Sequence, residues 1–385
     1  MTLNKKLLAG LVAFAAASTS AQAVTVAAND GWTLGVSGQV NQFLTFTDNE
    51  NGQDVSEVRD GLLPAFLSFD MKAPTMNGLD LAAHISISPS TNTTSQIGST
   101  LEQREVYFTV DGSFGQVLAG KAIGLYGTNA ILTEQTIYGV GWGTTGNLTT
   151  TLGGIGIGYD YADWRSQVKW TSKDMSGFQV ALAVVDTTAP GTNLAGVGTV
   201  GPLAILAGDN YDSEELRYEA ALSYAGSFDG GSFKVWAEGA FQEHDTTALA
   251  AAGFGAVNSS DDAQYMAFGG KAAFGGFEVA GQYSDAEDTV VSGGAVEQAE
   301  WSNFFVQAGY RFAGTTLVSA SYSELEVDQI ANASVADDTT DRTTIGVYHD
   351  VNSNLKLVAE YSKVENDAAA GIDQDIFSLG GFVFF

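Results

Sequence analysis

Basic side chains are scarce in this 385-residue chain, 16 Lys and Arg against 45 Asp and Glu. Several of them alternate with apolar residues. Trp164-Arg165-Ser166-Gln167-Val168-Lys169-Trp170 sets Arg165, Gln167 and Lys169 on one side and Trp164, Val168 and Trp170 on the other, the period of an extended strand. Cations fixed along a wetted strand face support electrostatic chemistry: they create a field that attracts and sorts small ions. Lys121, Arg165 and Lys169 are the candidates for a basic wall, and Arg104 joins them although the parity of residues 103–111 is ambiguous. Glu134 is the acid that would oppose them, with Asp160 and Asp163 following it. Covalent and metal chemistry have no comparable set. There is no cysteine, and His84, His244 and His349 stand far apart without metal-ligand spacing. No nucleophile motif adjoins them, and the glycines at 153, 156 and 158 precede no helix, so neither an enzyme nor a bound cofactor is expected. The acidic balance also argues against a nucleic-acid partner, whose phosphates need Lys and Arg.

The elements that would position these residues are strands. Leu79, Leu81, Ala83, Ile85 and Ile87 alternate with Asp80, Ala82, His84 and Ser86, and residues 216–224 and 233–241 repeat the scheme. A soluble sandwich alternates in the same way, so the links between strands decide. Short links (Asn77-Gly78, Gly275-Gly276, Ala313-Gly314) take turns with long polar ones (48–60, 89–102, 187–213, 244–263, 285–299 and 324–341). Outer-membrane barrels show that regularity. With 22 Phe, 14 Tyr and 46 Gly, and no run of about eighteen apolar residues after Ala23, the chain suits a barrel with an aromatic outside and a wet interior. The chain ends on Phe377, Leu379, Gly381, Val383 and Phe385, one apolar strand face, which is sensible when the outer solvent is lipid. The reading is all-β: a transmembrane antiparallel β-barrel of about sixteen strands, at roughly twenty residues per strand with its share of loop.

Residues 1–23 read as a cleaved export signal: Lys5 and Lys6, an apolar run from Leu7 to Ala17, then Ala21-Gln22-Ala23. A short membrane anchor is the rival. Removal of both lysines takes the formal charge from -29 to -31, and residues 24–385 form one barrel domain without a linker. Residues 120–163 break the strand rhythm, being crowded with Gly and Thr and poor in charge. They suit a constriction loop folded inward, where close backbone approach needs small residues; an extra Gly-rich hairpin is the alternative.

At these residues the chain resembles the Gram-negative general porins. Gly112-Ser113-Phe114-Gly115-Gln116-Val117 followed by Gly120-Lys121 is similar to the family segment before the constriction loop, with Lys where Arg is usual. Val168-Lys169-Trp170 with Gly177-Phe178, the stretch from Tyr348 to Tyr361, and the ending Phe377–Phe385 resemble further family segments. The resemblance implies a homotrimeric outer-membrane channel, exported through a cleaved signal, for passive diffusion of small hydrophilic solutes and ions. It also implies subunit contacts through Leu34, Val36, Gly38, Val40, Gly381 and Val383, with outer-membrane lipid and lipopolysaccharide as partners. Two departures bear on selectivity: Phe66 falls where a pore-lining arginine is usual, and residues 124–147 offer Glu134 alone as an acid. The outer acidic runs (Asp209, Asp212, Glu214 and Glu215; Asp261 and Asp262; Asp285, Glu287 and Asp288; Asp337, Asp338 and Asp341) suit a solvated face or weak divalent-cation binding. A substrate-selective channel, with Trp236 and Tyr348 as inward aromatics, and a structural or adhesive barrel with an occluded lumen are the alternatives. Aromatic residues at strand ends (Trp32, Trp164, Trp170, Tyr224, Trp301, Tyr310, Phe312, Tyr361) suit interfacial girdles.

Overall fold

The computed structural model describes residues 24–50, 52–91, 101–143, 150–187, 215–243, 262–292, 295–330, 336–367 and 373–385. The export-signal residues 1–23, the loop acids Asp209, Asp212, Glu214 and Asp261, and His244 lie outside the described residues. The described strands begin with β1 (Val24–Asn29), β2 (Trp32–Asn49), β3 (Val55–Arg59), β4 (Phe66–Lys72), β5 (Asp80–Pro89), β6 (Leu101–Glu102) and β7 (Val106–Gly112). Next come β8 (Gly115–Ile123), β9 (Trp164–Thr171), β10 (Phe178–Val185), β11 (Arg217–Phe228), β12 (Gly231–Gln242) and β13 (Ala263–Phe274). The chain ends with β14 (Phe277–Ser292), β15 (Ala295–Phe312), β16 (Thr316–Ile330), β17 (Ala336–Asn352), β18 (Leu355–Asn366) and β19 (Gln374–Phe384).

Every described neighbour pairing in this sheet is antiparallel. β3 and β4 occupy successive stretches of one edge of β2, and β6 and β7 do the same along β5. Each couple is one interrupted stave, and β1 is a short hairpin partner to the start of β2. Sixteen staves result, closed by β19 on β2 from Gln374↔Asn49 to Phe384↔Gln39. Closure leaves the barrel wall without an open edge, the condition for crossing hydrocarbon with strands.

The faces alternate as the sequence pattern requires. Along β19, Phe377, Leu379 and Val383 are 48%, 51% and 50% exposed while Phe382 and Phe384 are 0% and 2%. Leu81, Phe108, Val168, Leu222, Phe268, Val306 and Ile345 extend the exposed apolar belt around the outside, a continuous patch that marks contact with a membrane. Near the short turns the belt ends in aromatic contacts. Phe178 lies 4.4 Å from Tyr224, Phe277 4.8 Å from Tyr310, and Tyr310 4.7 Å from Phe312, centroid to centroid. Trp301 is a correction to the girdle set: it is inward and 1% exposed, because it shares the parity of Asn303 and Phe305 on β15.

The wall is uneven in height. β8, β9 and β10 have 9, 8 and 8 residues, whereas β14 to β17 have 15 to 18. The polar stretches 285–299 and 324–341, expected as loops, are largely paired strand. Beyond the apolar belt both faces of a strand meet water, so their polar sequence conceals a ladder that continues.

Candidate functional site: the lumen and its inserted loop

Residues 124–163 leave the wall after β8 and return at β9, with the Gly124 N–H donating to the Asp163 carbonyl at 2.9 Å. The described parts, 124–143 and 150–163, enter the barrel, as the Gly-rich pattern predicted, and form neither a hairpin nor an outer loop. The described parts contain a short α-helix, Thr128–Ile131, and a 3-10 turn, Gln135–Tyr138, capped by the Glu134 side chain accepting from the Thr136 N–H at 3.0 Å. Irregular backbone at this depth persists only when its polar groups find partners.

Inward glutamates on the wall supply those partners. Glu219 on β11 accepts from the N–H groups of Leu125 and Tyr126 at 2.7 and 3.1 Å. Glu238 on β12 accepts from the Gly127 N–H at 2.9 Å. Glu360 on β18 accepts from Val140 and Gly141 at 2.6 and 3.0 Å. Hydrogen bonds to an ionised acceptor are among the stronger ones. Glycine permits the approach at Glu360: a Cβ on Gly139 would stand 1.8 Å from its carboxylate oxygen. Gly141 has φ +59°, and a Cβ there would meet the Gly153 carbonyl at 2.2 Å. In the opposite direction Asp160 of the loop accepts from Tyr126 (2.6 Å), Trp301 (2.9 Å) and Asn303 (2.8 Å). Burial pushes the Asp160 carboxyl above its ordinary range, and these three donors oppose that rise. Tyr138 finishes the contact, edge-on to Phe382 and Phe384 at 5.7 and 6.2 Å.

The sequence-predicted site residues separate into three groups. Glu134 is fully buried: Arg342 lies 3.2 Å from it, Ser321 donates to it at 3.2 Å, and Thr136 caps onto it. It therefore pins the loop and does not face a solute, which corrects its assignment as the acid of a constriction. Arg165 is inward and 4% exposed, donating to the Ala162 carbonyl at 3.4 Å, so it braces the loop's return. Lys169 is inward and half-buried, in register with Ala183 and Leu118. Lys121 is the second correction, and Arg104 lies beside it in the break between β6 and β7. Lys121 is in register with Val106 and Ser166, and Val106 belongs to the exposed apolar face. Arg104 pairs with Glu102 at 2.7 Å and lies 5.9 Å from the ring centre of Trp164. Both basic residues line one cleft of about 330 Å³ with Tyr161 and Asp163 of the loop's return. One residue of parity separates the lumen from the outside, and at Lys121 the registered pairs decide it.

The functional side chains that sequence reasoning missed are mostly acids and their partners on inward faces. Arg217 and Glu219 form a fully buried pair at 2.7 Å. His84 lies between Asp70 at 2.8 Å and Glu105 at 3.3 Å, stacked on Tyr107 at 5.0 Å. The i, i+2 spacing and parity of Arg217 and Glu219 were readable, but the loop amides that Glu219 meets are 94 and 93 residues away. Trp236 and Tyr348 are inward as expected, yet they are 4% and 3% exposed, and Tyr348 donates to Glu360.

A closed sixteen-stave barrel, apolar outside and polar inside, with a loop stitched into its lumen defines an outer-membrane channel. The sequence matches the Gram-negative porin family over residues 8–369, and the chain belongs to that family. It is an outer-membrane porin for passive diffusion of small solutes. Among solved structures it is similar to the anion-selective porin of Comamonas acidovorans (14% identity, 92% of this chain and 100% of that chain, TM-score 0.64). It is also similar to Salmonella typhi OmpF in complex with daunomycin (14%, 93% and 99%, 0.62). The trimer form of Vibrio cholerae OmpT is a further likeness (16%, 92% and 99%, 0.54). No curated protein matches the sequence.

Proposed function

We propose that the protein is a homotrimeric general diffusion channel in which small hydrophilic solutes and ions pass through the space left between the inserted loop and the basic inward wall. The observation that carries this reading is the stitching of residues 124–163 to Glu219, Glu238 and Glu360. It occupies these three wall acids, while Lys169, on which Glu219 acts from a distance, makes no hydrogen bond or ion pair among the described residues. No step of bond-making is assigned, and transport follows the gradient. The low wall at β8 to β10 and the outward Val40 and Val383 suit subunit contacts, and a relative in the trimer form supports the same assembly. Lys121 faces outward, where lipopolysaccharide phosphates would meet it, and divalent cations would bridge the outer acids to the same phosphates. Residues 1–23 would be removed on export, leaving Val24 first.

Single-channel recording in a planar bilayer tests this. A conductance rising without saturation in KCl is expected. Block by one specific solute would favour a substrate-selective channel, and the absence of current from a folded trimer would reject diffusion altogether. Cross-linked mass checks the trimer, and N-terminal sequencing of the membrane form checks Val24.

A further inference from the structure

The inward faces of β12 and β13 carry a pair of like charges, of which only Lys234 touches the inserted loop. Lys234 and Lys271 stand directly opposite one another in the ladder, where side chains start about 5 Å apart and like charges repel. Lys234 is in the lumen, because its Nζ donates to Oδ1 of Asn129 in the loop helix at 2.7 Å. The Asn129 amide in turn donates to Glu238 at 2.9 Å, so that carboxylate acts on Lys234 at a distance with the amide between them. Lys271 is exposed and has neither hydrogen bond nor ion pair among the described residues. The acid that acts on it, Glu278, is held by Arg311 at 2.6 Å. Trp236 forms the floor: its ring centre is 6.0 Å from the Lys234 ammonium and its N–H donates to Gln282 at 2.7 Å. Glycine at 269 makes room for the indole, which a Cβ would approach to 2.4 Å. Two adjacent ammonium groups, one positioned by an amide, thus face water on a rigid floor without a carboxylate between them.

The geometry points to a lumenal binding site for a small doubly charged oxyanion, inorganic phosphate or a dicarboxylate, bridged by Lys234 and Lys271. A dianion satisfies both ammonium groups at once and removes their mutual repulsion, which a single chloride does not. The site rests on the channel reading for its access route, but binding itself needs no current.

Titration calorimetry of the folded protein in detergent, with inorganic phosphate, succinate and chloride as separate probes, tests the site. Saturable binding of phosphate or succinate is expected, at least tenfold weaker in Lys234→Gln/Lys271→Gln and retained in Lys234→Arg/Lys271→Arg. Phosphate alone binding would assign a phosphate-type ligand; both binding would assign dianions generally. Should the double variant fail to fold, the exposed Lys271→Gln replaces it with the same expected loss. Equal binding in variant and wild type, or no binding of either dianion to wild type, overturns the proposal. A parallel bilayer recording separates the two readings: a silent wild type that still binds either dianion sinks the channel, and a conducting wild type that binds neither phosphate nor succinate sinks the site.

Discussion

Along the wall from β11 to β19, inward carboxylates are occupied by loop amides: Glu219, Glu238 and Glu360 each hold one or two N–H groups of a segment that is remote in sequence. Along the wall from β4 to β9, apart from Arg165 at the loop's return, the inward charges answer one another or face water. His84 sits between Asp70 and Glu105, and Lys169 meets no loop amide. The same alternating strand therefore puts charge to two uses. Where the lumen is filled, charge is structural and removing it leaves buried groups unpaired; where it is open, charge acts on whatever passes. Position relative to the loop, not residue type, separates the two.

The largest effect should come from the filled side. Arg342→Met would leave Glu134 buried without its cation, a loss of about 3–5 kcal/mol, measured as a lower urea midpoint for the folded barrel and partly restored by adding Glu134→Gln. Glu360→Leu should cost about 2–3 kcal/mol, since the N–H groups of Val140 and Gly141 lose their acceptor at once; earlier proteolysis within residues 124–143 would report it. If either variant unfolded like wild type, the loop would not depend on these anchors.

On the open side stability should scarcely move while ion preference does. Lys169→Glu should shift the anion-to-cation permeability ratio toward cations by roughly fivefold, about 1 kcal/mol in a hydrated pore, read from reversal potentials in a KCl gradient. An unchanged potential would remove Lys169 from the conducting path. The smallest effect belongs to Lys121→Ala, whose side chain faces outward. Conductance and ion preference should both equal wild type, and a change in either would mean that the outward assignment fails.

Much of the fold was legible because period two survives at almost every stave: Leu81 and Ile85, Val168, and Phe377 with Leu379 all face outward as their spacing required. The inward course of residues 124–163 was legible from its glycines. Two kinds of information were not. Parity fails where a strand is interrupted, and Arg104 stands in the break between β6 and β7. Lys121, two residues before its strand ends, joined the basic wall because that strand flanks the Gly-rich loop, and the registered pairs with Val106 and Ser166 turn it outward. Partner identity is the other: Glu134 looks like a solitary acid in a neutral loop until Arg342 is seen beside it, and the two are 208 positions apart. The pair Lys234 and Lys271 was equally hidden, since cross-strand register depends on the whole length of the intervening link.

The seam between β2 and β19 joins residues separated by more than three hundred positions. Until that last hairpin is delivered, β2 and β18 are bare strand edges, each able to recruit another chain. Closure therefore makes maturation an all-or-nothing event governed by the slowest and most distant encounter in the molecule. A polypeptide arrested before Gln374 would remain an open, adhesive sheet rather than a shorter pore.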